Sequence, residues 1–331
     1  MTNDKYILQY GSLAGMPFQI ASNLRKKGIA SQNIIHWYKD VSDLDRNLPF
    51  DRALNKPSDN FFKKAISIPR FINEASKDCS LIHYHGTNIF FRELHFLYEG
   101  LIFKKANIPM LITFGGGDAR IWKTANEKNP YFYKKNNFIH DLIMKFRHNS
   151  QSKNIKFCAL NPEMAFYAEP YFEKIFTFRQ PVDLKRLPLS YPLEDKKIPI
   201  ILHIPTEPEV KGTKLIIEAV KNLKSKGLNF EFIMKRNMTQ KETHKEIEKC
   251  DIYIDELFCG DIGVTAVETM GSGKPTISWI IPEVLERYPE EFPVQVANPK
   301  TIENVLENLI SNQDLIQKKI NTILANIPNV A

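Results

Sequence analysis

Gly263–Ile277 reads GVTAVETMGSGKPTI, and its GSGK has the residue types of a phosphate loop without the spacing. A Walker loop needs a glycine five residues before the Gly-Lys pair, Ser or Thr after the lysine, and a helix beginning there. Glu268 holds that glycine slot and Pro275 follows Lys274. Val264, Val267 and Met270 instead recur at helical spacing, and Gly271 and Gly273 suit a helix end. The segment therefore reads as helix, glycine turn and then the strand PTISWI, with one carboxylate, Glu268, inside the helix.

Other groups able to do chemistry lie at the ends of apolar runs. GSLAG (11–15) follows the first such run and does not match GxGxxG, which disfavours a dinucleotide fold proper. FGGGDAR (114–120) follows another and carries Asp118 and Arg120, which offer polar groups to a ligand; a glycine turn with Asp118 capping a helix is an equal reading. His83 and His85 alternate with Tyr84 and so share one strand face. No carboxylate is placed by motif to complete a metal site with them, so no metal is expected; each reads first as a packed or hydrogen-bonded strand residue, and His85, nearer the loop, is the one able to meet the acceptor. The four cysteines, Cys79, Cys158, Cys250 and Cys259, form neither a CxxC pair nor a zinc spacing and read as reduced, structural thiols.

These groups need a scaffold, and strand-helix alternation supplies it. KYILQYG (5–11), NIIHWY (33–38), SLIHYHG (80–86), PMLITFG (109–115) and IKFCALN (155–161) read as strands separated by helical text, the pattern of a parallel sheet covered by helices. The polar stretch 39–60 reads as a long loop or broken helix. DLKRLPLSYPLEDKKIP (183–199) has no periodicity and reads as a linker, after which the alternation restarts. Two Rossmann-like α/β domains facing a cleft are expected: 1–183, a linker at 184–198, and 199–331, closed by helices carrying Ile302, Val305, Leu306 and Leu309 and then Ile316, Ile320 and Ile323.

At 331 residues, 43% hydrophobic and 25% charged, the chain can fill two cores, and disorder is not its default. No apolar run reaches the roughly 18 residues of a membrane span, and the N-terminus lacks signal-peptide regions, so a cytoplasmic location is expected. The net charge of +7 admits anionic partners. No RNA-binding aromatic signature or helix-turn-helix stands out, and nucleic acid is not expected. Residues 131–156 mix Lys134, Lys135, Lys145, Arg147 and Lys153 with Phe138, Leu142 and Phe146. That mixture fits a helix in peripheral contact with an anionic membrane, or equally a helix whose apolar side packs on its own domain.

The run DIYIDELFCGDIGVTAVETMGSGKPTI (251–277) resembles the C-terminal signature of group 1 glycosyltransferases of the GT-B fold, on Glu268, Met270, Gly273, Lys274, Pro275 and Ile277. VKGTKLIIEAV (210–220) resembles that family's KG-helix motif. The resemblance implies that Glu268 accepts hydrogen bonds from the ribose hydroxyls of a nucleotide-sugar, as a carboxylate's two oxygens suit a vicinal diol. It implies further that Lys211 neutralises the donor diphosphate, and that CGDIG (259–263) offers backbone N–H groups to the phosphates. Donor binding is thus expected at Gly15, Lys211, Gly260, Asp261, Gly263, Val264 and Glu268; Lys211, Asp118 and His85 would serve catalysis, and Asp118 and Arg120 the acceptor side.

The sequence departs from the family pattern in places. The E-x7-E signature expects glutamate where Gly260 stands, with Asp261 adjacent as a substitute; Gly115 stands where many relatives carry histidine, and HIPTEPEV lacks the usual arginine. The chain also ends at ANIPNVA, so a helix crossing back to the first domain is expected to be short or absent. What the resemblance implies overall is transfer of a sugar, with retention and without a cofactor, from a nucleotide-sugar to a hydroxyl of a glycan, lipid-linked saccharide or similar acceptor. A non-catalytic GT-B partner of an active transferase, and a sugar-nucleotide epimerase, remain alternatives.

Overall fold

The computed structural model describes residues 5–37, 48–56, 58–86, 90–177, 181–183, 187, 189–192, 198–290 and 292–312. The chain divides into two compact units. The first comprises Met1–Thr124 and Asn136–Pro181, the second Ala125–Lys135 and Val182–Ala331. Residues 125–135 thus join the second unit although they lie within the sequence of the first. The expected positions Ile316, Ile320 and Ile323 lie outside the described residues, as does most of 184–198.

In the first unit the strands are β1 (Tyr6–Tyr10), β2 (Ser31–Trp37), β3 (Arg52–Asn55), β4 (Cys79–His85), β5 (Met110–Thr113), β6 (Phe157–Leu160) and β7 (Lys174–Thr177). They form one parallel sheet in the order β3-β2-β1-β4-β5-β6-β7. Its helices are α1 (Met16–Lys26), α2 (Phe61–Asp78), α3 (Glu99–Lys105), α4 (Trp122–Lys128, whose end enters the second unit), α5 (Phe138–Ser152) and α6 (Pro162–Ala168). Leu8, Tyr10, Ile34, Ile82, Tyr84 and Ile112 are fully buried, as expected of strands covered on both faces. Residues 39–60 are not all loop, because β3 lies there; β7 was also missed, being four residues long and mostly exposed.

The second unit contains β8 (Ile200–His203), β9 (Glu231–Met234), β10 (Ile252–Ile254), β11 (Thr276–Ser278) and β12 (Gln295–Val296), parallel in the order β12-β11-β10-β8-β9. Between them run α7 (Pro208–Lys211), α8 (Thr213–Ser225), α9 (Gln240–Lys249), α10 (Val264–Gly271) and α11 (Pro282–Leu285), and α12 (Ile302–Ser311) follows. Ile201, Ile252, Ile254 and Ile277 of the strands pack with Ile216, Leu223, Leu306 and Leu309 of α8 and α12 in one core.

Each sheet has a switch point where neighbouring strands lead off in opposite directions: β1 beside β4 in the first unit, β8 beside β10 in the second. Crevices outside the carboxyl ends of such strands are where open α/β sheets bind ligands.

Candidate functional site

In the second unit, the loops leaving β8 and β10 meet through Lys211. The single turn α7 ends on Gly212, whose left-handed backbone (φ 72°) redirects the chain into α8. Leu257 N–H donates to the Lys211 carbonyl at 3.2 Å. The Lys211 ammonium donates to Asp255 Oδ1 at 2.8 Å, while Asp255 Oδ2 accepts Gly263 N–H at 2.7 Å. Asp255 is buried and the lysine side chain keeps only 20% of its surface accessible, so the charge is held in place by the carboxylate beside the turn at Gly263. Burial works against the ammonium, but Asp255 and then Glu256 outweigh it and raise the Lys211 pKa. A lysine free in solvent is therefore excluded. Beside it, His203 donates from Nδ1 to the Ile254 carbonyl and accepts from the Thr213 hydroxyl, both at 2.9 Å, tying β8 to β10 and α8.

The loop before α10 is built on carboxylates. Glu256, fully buried, accepts N–H groups from Phe258 at 2.9 Å, Gly260 at 3.1 Å and Cys259. Burial pushes its pKa up to about 7 against the pull of Lys211 and these amides. Asp261 Oδ1 accepts Ile262 N–H at 2.8 Å and the Tyr288 hydroxyl at 2.6 Å. The amides of 259, 260, 262 and 263, read from the sequence as phosphate donors, are thus engaged by the protein's own carboxylates. The helix offers others: its first intrahelical bond runs from Val267 N–H to Gly263 C=O, so those of Val264, Thr265 and Ala266 precede the ladder.

Gly260 explains the departure from the E-x7-E pattern. Its φ is 92°, and a Cβ there would lie 2.6 Å from the Ile281 side chain, so a glutamate on this backbone would be strained and would have to displace Ile281. The loop is closed by Asn129, from the 125–135 segment, which donates to the Phe258 carbonyl at 2.7 Å and accepts Trp279 Nε1–H at 3.0 Å. Sequence reasoning missed Asn129 because it stands far from the loop in the chain.

Glu268 is not a solvated helix residue: only 8% of it is exposed, and its Oε1 accepts from Gln240 Nε2 and His244 Nε2, each at 3.2 Å. Those partners, also missed, had one signal, since four-residue spacing puts both on one face of α9. Glu268 lies one turn beyond Val264 on the same face of α10, roughly 6 Å along the axis. Lys274 is buried, donating to Ser190 Oγ at 3.2 Å and the Glu248 carbonyl at 3.1 Å, so GSGK serves the core of the unit.

In the first unit the β1 turn contains two left-handed residues in succession, Ala14 (φ 48°) and Gly15 (φ 77°), the latter capping α1. Asp118 accepts Gly115 N–H at 2.9 Å and Gly116 N–H at 2.7 Å, and its Oδ2 would lie 3.4 Å from a Cβ on Gly86 at the end of β4. Gly15 and Asp118 therefore belong to turns flanking this unit's switch point. Asp118 does not cap α4: Asp141 accepts Trp122 N–H at 2.7 Å and Lys123 N–H at 3.2 Å. Arg120 is buried in a two-pronged ion pair with Glu163, at 2.9 and 2.8 Å, and Tyr167 donates to the same carboxylate. His83 and His85 do share a face, their rings 3.9 Å apart, but both are buried: His83 meets Thr113 and His85 donates to Gln9 Oε1 at 2.8 Å. Burial lowers both pKa values, to about 3 for His83, and His85 presents no surface to a substrate in this structure.

Among the described residues no group of three or more His, Cys, Asp or Glu could hold a metal ion, and no helix is long and apolar enough to cross a membrane. All four cysteines are free thiols.

No family model matches the chain, and no curated protein matches it in sequence. Its fold has many solved counterparts. Sucrose-phosphate synthase from Thermosynechococcus elongatus superposes with a TM-score of 0.61 at 12% identity over 99% of this chain and 94% of that one. HepE from Anabaena, solved with UDP and glucose, gives 0.61 at 12% over 98% and 95%. WaaG, a glycosyltransferase involved in lipopolysaccharide biosynthesis, gives 0.60 at 10% over 98% and 94%. The chain has the GT-B fold.

Proposed function

We propose that the second unit binds a nucleoside diphosphate sugar at its switch point, and that the protein transfers the sugar to a hydroxyl of a glycan, lipid-linked saccharide or similar acceptor. The observation that carries this reading is the Lys211–Asp255 pair bonded to the N-cap of α10, with Glu268 one turn along that helix. The ammonium and the free first-turn amides suit a diphosphate, and the second carboxylate suits the ribose diol. UDP and glucose bound to HepE, and glycosyl transfer by WaaG, support the reading.

In the reaction, the bond from the sugar C1 to the diphosphate breaks as the acceptor oxygen bonds C1 on the same face, giving retention. The leaving phosphate oxygen takes the acceptor proton, so no side-chain base is required. Lys211 and the α10 terminus stabilise the charge that develops on that phosphate. Gly260, Asp261 and Gly263 shape the loop that presents Val264. On the acceptor side, Gly15 and Asp118 form the turns, while Arg120 and His85 hold the sheet and loops behind them.

A panel of UDP-, ADP- and GDP-sugars, incubated with and without EDTA, tests the reading. Free nucleoside diphosphate, released in EDTA as well, is expected from at least one donor. An epimerised sugar would identify an epimerase, and no turnover with any acceptor would favour a non-catalytic partner.

A further inference from the structure

The helix α5 is built inside out. Its buried residues are Asp141, Met144, His148, Ser150 and Gln151, four of the five polar. Its exposed residues include Phe138, Ile139, Leu142, Ile143 and Phe146, a continuous apolar stripe from 79% exposed at Phe138 to 52% at Phe146. The orientation is fixed by hydrogen bonds. Asp141 takes the Trp122 and Lys123 amides, His140 Nε2 donates to the Arg120 carbonyl at 3.0 Å, and His148 Nε2 to that of Ala119 at 3.0 Å. The His140 ring also stacks on Trp122, centroids 4.0 Å apart. Turning the stripe inward would strip partners from these buried groups, so its exposure is the structure's stable arrangement.

The stripe has neighbours of the same character. The short turn Arg92–Leu97 packs against both α5 and α3, and Leu94, Leu97 and Leu101 there are exposed. Connections β4 to β5 and β5 to β6 run in one direction across the sheet, so right-handed crossovers set α3 and α5 on one face. Lys104 and Lys105 lie one turn from Leu101, and Lys145 stands beside Phe146, all exposed. The only acid within α5, Asp141, is buried and engaged.

We infer that this face of the first unit docks on an anionic lipid bilayer, with the α5 stripe in the interfacial layer and the lysines against headgroup phosphates. Apolar side chains beside cations, with no exposed acid in the helix, match that surface. A second copy of the chain fits less well, because a two-fold contact through this face would oppose lysine to lysine. The inference does not depend on glycosyl transfer, since it concerns binding without a donor.

The test is flotation of the full chain with vesicles of phosphatidylcholine alone or with phosphatidylglycerol added, at low and near-physiological salt. Binding is expected only where phosphatidylglycerol is present, weakening as salt rises. The triple variant Phe138→Ser, Leu142→Gln, Phe146→Ser changes exposed positions and should keep its melting temperature while binding at least ten-fold more weakly. Replacing Lys104, Lys105 and Lys145 by Gln should weaken binding and flatten its salt dependence. Wild type that ignores anionic vesicles at low salt, or a folded triple variant that binds them equally, would overturn the inference. So would a lipid-indifferent wild-type dimer, in ultracentrifugation, that the triple variant converts to monomer.

Discussion

Lys211 owes its position to Asp255, which holds its ammonium beside the turn that leads into α10. An ammonium so held matters most when the diphosphate departs, because charge then grows beside it. Lys211→Ala should lower turnover on the order of a hundred-fold or more while changing nucleotide affinity less, read from kcat beside calorimetric Kd. Glu256 makes a different prediction, about pH. Burial raises its folded pKa from the ordinary 4.5 to about 7. Below pH 4.5 both folded and unfolded states carry the proton and the group's contribution is fully present. As pH rises towards 7 the unfolded chain ionises first, and stability on the order of 3 kcal/mol is lost through this residue. Thermal melts should therefore show the margin of wild type over Glu256→Gln shrinking between pH 4.5 and 7; a margin that grows would contradict the burial argument.

The loop and helix between β10 and β11 explain which elements could be read in advance. Val264, Val267 and Met270 announced α10, and Gly271 and Gly273 its end, because helical spacing and helix stops are local properties. Lys274 was not legible in its role, since burial beside Ser190 is a tertiary fact. Nor was the loop's economy of amides: Asp255, Glu256 and Asp261 were visible as acids, but their targets depend on how the chain turns. In α5 the periodicity was plain, yet its sense could not be assigned, because only the Asp141 and His148 hydrogen bonds say which side faces in. Gly260 carries this element's prediction. Left-handed backbone and a 2.6 Å clash with Ile281 should make Gly260→Ala cost about 2–4 kcal/mol, measured by urea unfolding. A neutral substitution would mean that the loop adapts and that a glutamate could have stood there.

At the scale of the whole molecule, strand-helix alternation specified two parallel sheets. It did not reveal that residues 125–135 belong with the second unit, because α4 is continuous in sequence across the division. The GT-B fold limits where to look, but many chemistries share a fold, so function rests on what the second unit binds. Titration calorimetry of UDP, ADP and GDP into the full chain and into Glu268→Ala, with circular dichroism to confirm folding, asks this directly. At least one nucleotide should bind wild type, and the variant should bind it about ten- to a hundred-fold more weakly, since hydrogen bonds to a charged acceptor are worth roughly 1.5–3 kcal/mol. If the folded variant binds as tightly as wild type, or wild type binds no nucleotide, Glu268 serves only Gln240 and His244 and the proposed donor site is contradicted.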